Sequence, residues 1–109
     1  MSEIEFHAVA KTGEIDDGEA IQVQIGRKEI ALYNLGGTYY ATDDICSHAY
    51  ASLADGYLED GQIECPLHGA RFDIKTGKAL TAPASVDLAT YPVKVEGDTI
   101  YVGVPKAAG

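Results

Sequence analysis

The sequence predicts an all-β fold in a single domain. Apolar and polar residues alternate at a period of two in several short segments, which is the spacing of half-buried strands. No segment keeps helical spacing over the roughly 11 to 18 residues that would indicate a long helix. Glycine-containing turns separate the segments, and 109 residues with 46% apolar content suffice for one core. We therefore expect residues 1–109 to form one β domain, with a fraying tail at 105–109.

The first block of strands follows from alternation between apolar residues and glutamines. Ile21, Val23 and Ile25 fall on one face, with Gln22 and Gln24 on the other. Turns at Gly26-Arg27 and Gly36-Gly37 separate this strand from the next two. The predicted strands of the block are, in order, residues 21–25, 29–35 and 38–42. An edge strand is expected earlier, around His7, which we interpret as a surface histidine far from any site.

The second block lies near the carboxyl end. Tyr91, Val93 and Val95 alternate with polar or turn-forming neighbours, and residues 96–98 (Glu-Gly-Asp) are typical of a hairpin turn. A last strand is expected to carry Ile100, Val102 and Val104 inward. The two blocks together are the predicted scaffold.

The middle of the chain differs from both blocks in amino-acid composition. Residues 43–90 are rich in glycine and proline, with short strand-like pieces at 62–65 and 71–74. Residues 75–78 (Lys-Thr-Gly-Lys) are predicted to close a hairpin, and 82–85 to form a loop returning to the scaffold. We interpret this stretch as a site-bearing subdomain.

The charge balance excludes several classes of partner. The chain has 17 Asp and Glu against 8 Lys and Arg, a formal net charge of −9. That charge repels nucleic-acid phosphates and anionic lipid headgroups, so neither is an expected partner. The acids cluster at Glu3/Glu5, Glu14/Asp16/Asp17/Glu19, Asp43/Asp44 and Glu59/Asp60. We expect these clusters to favour solubility or to steer the protein toward a basic partner.

The amino terminus indicates the compartment. It has neither the basic nor the apolar region of a secretory signal, and no apolar run approaches the roughly 20 residues that span a bilayer. A cytoplasmic protein with no membrane contact is expected. In that reducing environment, the two cysteines are better explained as metal ligands or buried thiols than as a disulfide.

Four potential metal ligands lie in the middle stretch. Cys46 and His48 form a Cys-X-His segment, and Cys65 and His68 form a Cys-X-X-His segment after 16 intervening residues. Each segment offers one sulfur and one nitrogen, so two such loops facing each other would present two thiolates and two imidazoles. That pattern suits two different iron atoms.

This pair of segments resembles the Rieske motif, in which both cysteines bind one iron and both histidines bind the other. The likeness extends through residues 65–73, the turn at 75–77 and the stretch from Tyr91 to Asp98. Overall the chain is similar to the Rieske ferredoxin components of bacterial aromatic-ring-hydroxylating dioxygenase systems. The resemblance implies three stacked antiparallel sheets and one 2Fe-2S cluster held by Cys46, His48, Cys65 and His68.

The resemblance also implies which kind of Rieske site is present. Two ferric ions, two sulfides and two thiolates sum to zero charge, so the mixed ligand set accepts an electron more easily than four thiolates do. High-potential Rieske proteins add a disulfide between the cluster loops and two hydroxyl donors to sulfur. The matching positions here are Ala51, Leu67, Ala70 and Phe72. A low-potential cluster is therefore expected.

Several further residues are expected to surround this site. Gly69 is either a close-approach glycine or a plain turn glycine, Pro66 stiffens the second segment, and Pro83 belongs to a possible shielding loop. The candidates for an apolar shell are Tyr50, Leu67, Phe72 and Leu80.

By the same resemblance the chain is an electron carrier and not an enzyme. It would accept one electron from a flavin-containing reductase and pass it to a terminal Rieske oxygenase, acting as a monomer. A Rieske ferredoxin of a di-iron aromatic monooxygenase is the nearest alternative function. Outside electron transfer, the alternatives are tetrahedral zinc, a catalytic Cys/His pair, and a structural module like the small subunit of a nitrite reductase.

Overall fold

The structure is a computed structural model that describes residues 4–45, 51–66, 69–81 and 87–105. Its strands are β1 Ile4–Lys11, β2 Ala20–Ile25, β3 Lys28–Leu35, β4 Thr38–Asp43, β5 Tyr57–Glu59, β6 Gln62–Glu64, β7 Arg71–Asp73, β8 Thr90–Tyr91, β9 Val93–Glu96 and β10 Thr99–Pro105. Two short 3-10 turns, Thr12–Glu14 and Leu53–Asp55, are the helical elements of the described ranges. The all-β prediction is confirmed.

The strands form three antiparallel sheets. Their orders are β1-β10-β9, β2-β3-β4-β8 and β5-β6-β7. The three-sheet architecture implied by the Rieske resemblance is therefore confirmed. The small third sheet is built wholly from the middle stretch of the sequence, while the first two sheets draw most of their strands from the flanking blocks.

Strand β3 lies at the centre of the molecule because both of its faces are covered. Residues 30–34 are buried consecutively, a pattern expected of a strand packed on both sides. Ile30 and Leu32 pack in one cluster with Ile100 and Val102 of β10. The opposite face of β3 joins a second cluster with the small sheet, whose buried members are Ala31, Tyr33, Leu53, Ile63, Cys65, Ala70, Phe72, Ile74 and Leu88. The four-stranded sheet is thus the middle layer of three.

The predicted turns and strand boundaries agree closely with the structure. The turns after β2 and β3 and the β9–β10 hairpin all lie where the glycines indicated. Strand β6 ends at Glu64 and β7 at Asp73, each one residue earlier than predicted. The difference at Ile74 arises because its N–H bonds to the Gly61 carbonyl at 3.0 Å, outside the strand ladder. Within the described ranges, no helix is long and apolar enough to cross a membrane.

Candidate functional site: the two metal-binding segments

Of the four predicted ligands, only Cys65 lies within the described residues; Cys46, His48 and His68 lie outside them. The same is true of Tyr50, Leu67 and Pro83. What the structure shows is how the chain is held at each end of these segments. The second segment, which carries Cys65, is the more completely described of the two.

The second segment is a hairpin loop between β6 and β7. The strands pair up to Glu64 and Arg71. Beyond that pair, the Cys65 N–H donates to the Ala70 carbonyl at 2.8 Å, and the Gly69 N–H donates to the Cys65 carbonyl at 3.0 Å. Gly69 has a φ of +71°, in the left-handed region that favours glycine. Among the described atoms, the nearest neighbour of a Cβ added at Gly69 would be a Glu64 carboxylate oxygen 4.0 Å away. The positive φ supports the turn interpretation, and a close approach of Gly69 to the cluster stays a prediction.

The thiol of Cys65 is buried and free of any disulfide. It packs in the apolar cluster with Ala70 and Phe72, which are also fully buried. Phe72 therefore does contribute to the apolar surroundings of this cysteine, as predicted. Leu80 is 42% exposed to solvent, and its place in an apolar shell around the cluster stays a prediction. The residue before it, Ala79, bridges to Phe72 beside β7.

An ion pair fixes the base of the second segment. The guanidinium of Arg71 contacts the Glu64 carboxylate through Nε at 3.1 Å and through a terminal nitrogen at 3.0 Å. A weaker contact at 3.9 Å reaches Glu59. Because Glu64 directly precedes Cys65, this cross-strand contact helps to fix the position at which the cysteine leaves the sheet.

The ends of the first segment meet at a bridge between Ile45 and Ser52. Next to this bridge, the Leu53 N–H donates to the Asp44 carbonyl at 2.6 Å. Leu53 is fully buried in the same cluster as Cys65, and Ala51 packs against that cluster. The two segments that carry the predicted ligands therefore start from one shared apolar core.

Asp44 corrects one prediction from the sequence. The Asp43/Asp44 pair was predicted to be a surface acidic cluster, but Asp44 is fully buried, and its carboxylate accepts hydrogen bonds from Gln22, Ser52 and Ala54. Asp43 is half-buried and accepts a hydrogen bond from the Tyr91 hydroxyl. Burial is the larger cause and the hydrogen bond to Asp43 the smaller, and together they raise the pKa of the Tyr91 hydroxyl. No local signal marks an acid as buried, since the donors come from distant parts of the chain.

A third segment approaches the same end of the small sheet. The Leu80 N–H donates to the Arg71 carbonyl at 2.8 Å, and the Arg71 N–H donates to the Thr81 hydroxyl at 2.9 Å. The predicted turn at 75–78 is confirmed, because the Asp73 N–H bonds to the Lys78 carbonyl and Phe72 bridges to Ala79. Thr81, the last described residue before the loop predicted at 82–85, is therefore hydrogen-bonded to the second segment, and the predicted loop with Pro83 lies outside the described residues.

His7 lies where the sequence predicted, on an edge strand away from these segments. Its side chain is 38% exposed, and its Nε2 contacts a Glu5 carboxylate oxygen at 3.0 Å. A surface position remains the right interpretation, and His7 offers a natural control for experiments on the other two histidines.

The described residues fit a 2Fe-2S cluster. A buried, unpaired cysteine stands at the base of a tight loop, as a thiolate ligand requires. The other Cys-His segment is closed at its base and joins the same core. Within the described ranges no group of three or more potential ligands comes together, since three of the four predicted ligands lie outside them.

Comparison with known proteins identifies the class. Residues 5–92 match the family model of the Rieske [2Fe-2S] domain, and the chain belongs to that family. Members of the family hold a single Rieske-type 2Fe-2S cluster.

Particular relatives narrow the class further. The chain is 48% identical to the ferredoxin component of the naphthalene 1,2-dioxygenase system of Pseudomonas aeruginosa, over 82% of this chain and 86% of the relative. It is 50% identical to the 3-phenylpropionate/cinnamic acid dioxygenase ferredoxin subunit of Escherichia coli K12, over 86% of this chain and 89% of the relative. These homologues are electron carriers and not enzymes.

A solved structure supports the same family assignment. A chain in the complex of reduced oxygenase and oxidized ferredoxin in carbazole 1,9a-dioxygenase superposes with a TM-score of 0.87 and 33% identity. The match covers 95% of this chain and 97% of that one. The fold and family resemblance inferred from the sequence are thereby confirmed.

Proposed function

We propose that this chain is the ferredoxin of an aromatic-ring-hydroxylating dioxygenase system, carrying single electrons from a flavin-containing reductase to the terminal oxygenase. In this proposal Cys46 and Cys65 hold one iron of the cluster, and His48 and His68 hold the other. The protein acts as a cytoplasmic monomer. When bound, the cluster supplies a centre that takes up and releases one electron.

One structural observation carries the proposal. The free, buried Cys65 and the closed base of the first segment belong to the same apolar cluster, so the two ligand-bearing segments share one support. The named relatives supply the system, because two ferredoxin components of aromatic dioxygenases match more than four fifths of the chain.

The chain's own residues would hold the ligands in place without taking part in bond chemistry. The backbone bonds between Cys65, Gly69 and Ala70 fix the second loop, and Arg71 with Glu64 fixes its base. The apolar cluster around Cys65 excludes water from the sulfur side. A loop that is preorganised in this way changes little between oxidation states, which favours rapid electron exchange.

The proposal extends to the organisation of the domain. We propose that residues 1–109 form a single domain in which residues 43–90 are the cluster-binding part. The small sheet β5-β6-β7 and the bases of all three loops fall inside that range, and most strands of the other two sheets fall outside it. The excess of acidic residues suits oxidoreductase partners with basic docking surfaces.

The experiment is electron delivery to a defined acceptor. The loaded, reduced protein is mixed in a stopped-flow instrument with the oxidised terminal oxygenase of a naphthalene or phenylpropionate dioxygenase. The His7→Ala variant is the matched control, because it changes a surface histidine only. We expect oxygenase reduction at a rate that saturates with oxygenase concentration for the parent and the control alike. Transfer to a di-iron monooxygenase, with none to either dioxygenase, would contradict the proposal.

A further inference from the structure

The feature that the proposed function leaves unexplained is the carboxylate of Asp44. It follows β4, which ends at Asp43, and precedes Cys46 by two residues, which span at most about 7 Å of extended chain. The side chain is fully buried. Burying a carboxylate is costly unless its oxygens are well paired, so this position calls for a physical reason.

The Asp44 carboxylate is held by neutral donors. The Ser52 hydroxyl lies 2.7 Å from Oδ2 and 3.0 Å from Oδ1, and the Ala54 N–H donates to Oδ1 at 2.9 Å. The Gln22 amide donates to Oδ2 at 2.6 Å. No Lys, Arg or His among the described residues forms an ion pair with this carboxylate. Among the described residues, this carboxylate is therefore paired with neutral dipoles and with no cation.

The backbone of Asp44 ties the same place together. Its N–H donates to the Glu29 carbonyl at 3.0 Å, and its carbonyl accepts from the Leu53 N–H at 2.6 Å. The bridge between Ile45 and Ser52 comes next. One residue thus fastens both ends of the segment that contains Cys46 and His48, using its backbone and its side chain.

A buried charge acts at longer range than an exposed one, because less water screens it. Reduction adds one negative charge to the cluster, so a fixed negative charge nearby opposes it and lowers the reduction potential. The neutral donors weaken this effect without abolishing it.

We propose that Asp44 is a positioning residue for the first cluster loop and that its buried charge lowers the reduction potential of the cluster. This inference rests on the proposed function, since it assumes that Cys46 and His48 bind the cluster. The two parts of the proposal can be separated, because the shape of the loop depends on the two acceptor oxygens of Asp44, whereas the effect on the potential depends on the sign of its charge.

The test compares two substitutions that differ in charge. Asp44→Asn removes the charge together with one of the two acceptor oxygens, whereas Ser52→Ala keeps the charge and both oxygens and removes one hydrogen-bond donor to them. Asp60→Asn, in the exposed turn between β5 and β6, removes the same formal charge elsewhere and is the control. Midpoint potentials are measured by voltammetry on protein with two irons per chain, and iron loss to a chelator is followed in parallel.

We expect the midpoint to rise in Asp44→Asn, to fall in Ser52→Ala and to stay unchanged in Asp60→Asn. Both Asp44→Asn and Ser52→Ala should lose iron faster than the parent. Shifts of the same sign in Asp44→Asn and Ser52→Ala, or no shift in either, would overturn the inference, since loosening of the loop would then explain the result. If Asp44→Asn cannot be loaded, a midpoint in Ser52→Ala at or above that of the parent overturns it alone. A parent protein without a Rieske EPR signal would instead overturn the proposed function.

Discussion

Gly56 allows a close backbone approach to the strand that leads into Cys65, one of the predicted ligands. Its φ of −84° and ψ of −163° are extended values that any residue can adopt, so alanine meets no conformational obstacle. A Cβ at this position would lie only 2.1 Å from the carbonyl oxygen of Glu64, the residue directly before Cys65. The Leu53 carbonyl oxygen lies 3.1 Å from the same point. Replacing Gly56 with alanine is therefore a test of packing alone.

The cost of Gly56→Ala can be worked from that contact. The backbone must open by about 0.9 Å before the Cβ is 3.0 Å from the oxygen, a separation below which real Cβ atoms are essentially never found. An opening of that size breaks a normal hydrogen bond, so the pairing of Tyr57 with Glu64 should be lost or shifted. Overpacking of this kind costs about 1–3 kcal/mol, a large share of the roughly 5–15 kcal/mol that stabilises a domain of this size.

Thermal unfolding followed by circular dichroism measures this cost. At about 4–8 °C per kcal/mol, Gly56→Ala should lower Tm by roughly 4–24 °C. The matched control is Gly13→Ala, where a Cβ would meet nothing within 4 Å and the expected change is small or slightly stabilising. Because the strain falls on Glu64, the Gly56→Ala protein should also retain less iron. Equal Tm values for the two variants would refute the packing argument.

Three further predictions concern the redox site, the tyrosines and the docking surface. Ala70 and Phe72 are fully buried in the same cluster as Cys65, so the double variant Ala70→Ser/Phe72→Tyr should supply hydroxyl donors to sulfur and raise the midpoint potential. An unchanged voltammetric midpoint would count against the low-potential assignment. Burial raises the pKa of Tyr33 and, with the bond to Asp43, that of Tyr91. In an ultraviolet titration both side chains should form phenolate at a higher pH than ordinary tyrosines. The stability that they contribute should be intact below about pH 10 and lost as the pH rises through their folded pKa values, and Tyr33→Phe should reduce this loss. If Tyr33→Phe instead removes a phenol that titrates at an ordinary or lower pH, the burial argument fails. Because the chain carries a net charge of −9, electron transfer to the oxygenase should slow as salt is added, and a salt-independent rate would indicate docking dominated by apolar contacts.

Local patterns predicted the scaffold well, for a simple reason. The alternation of Ile21, Val23 and Ile25 and the turn at Gly26 record which face of a strand is buried, and that information is contained in neighbouring residues. The central position of β3 was not predicted. Its run of five buried residues shows that both faces are covered, but which sheets cover them depends on pairings far apart in the sequence.

The candidate site, like the fold, was predictable only where the information lies in neighbouring residues. The spacing of Cys46, His48, Cys65 and His68 was recognisable because the predicted ligands themselves form the motif. The supporting residues were not recognisable, and the prediction of a surface position for Asp44 was wrong, because its partners Gln22 and Ser52 are brought to it only by folding.

The most direct test of the account is the ligand set itself. The protein is expressed with nitrogen-15-labelled histidine, reduced, and examined by EPR and pulsed nuclear-coupling spectroscopy, with iron and sulfide assayed on the same sample. We predict two irons and two sulfides per chain, a Rieske EPR signal, and coupling to two histidine nitrogens. The signal should be unchanged in His7→Ala and lost or converted in His48→Ala and His68→Ala. A colourless protein containing zinc, or a normal Rieske signal from His48→Ala, would contradict the assignment.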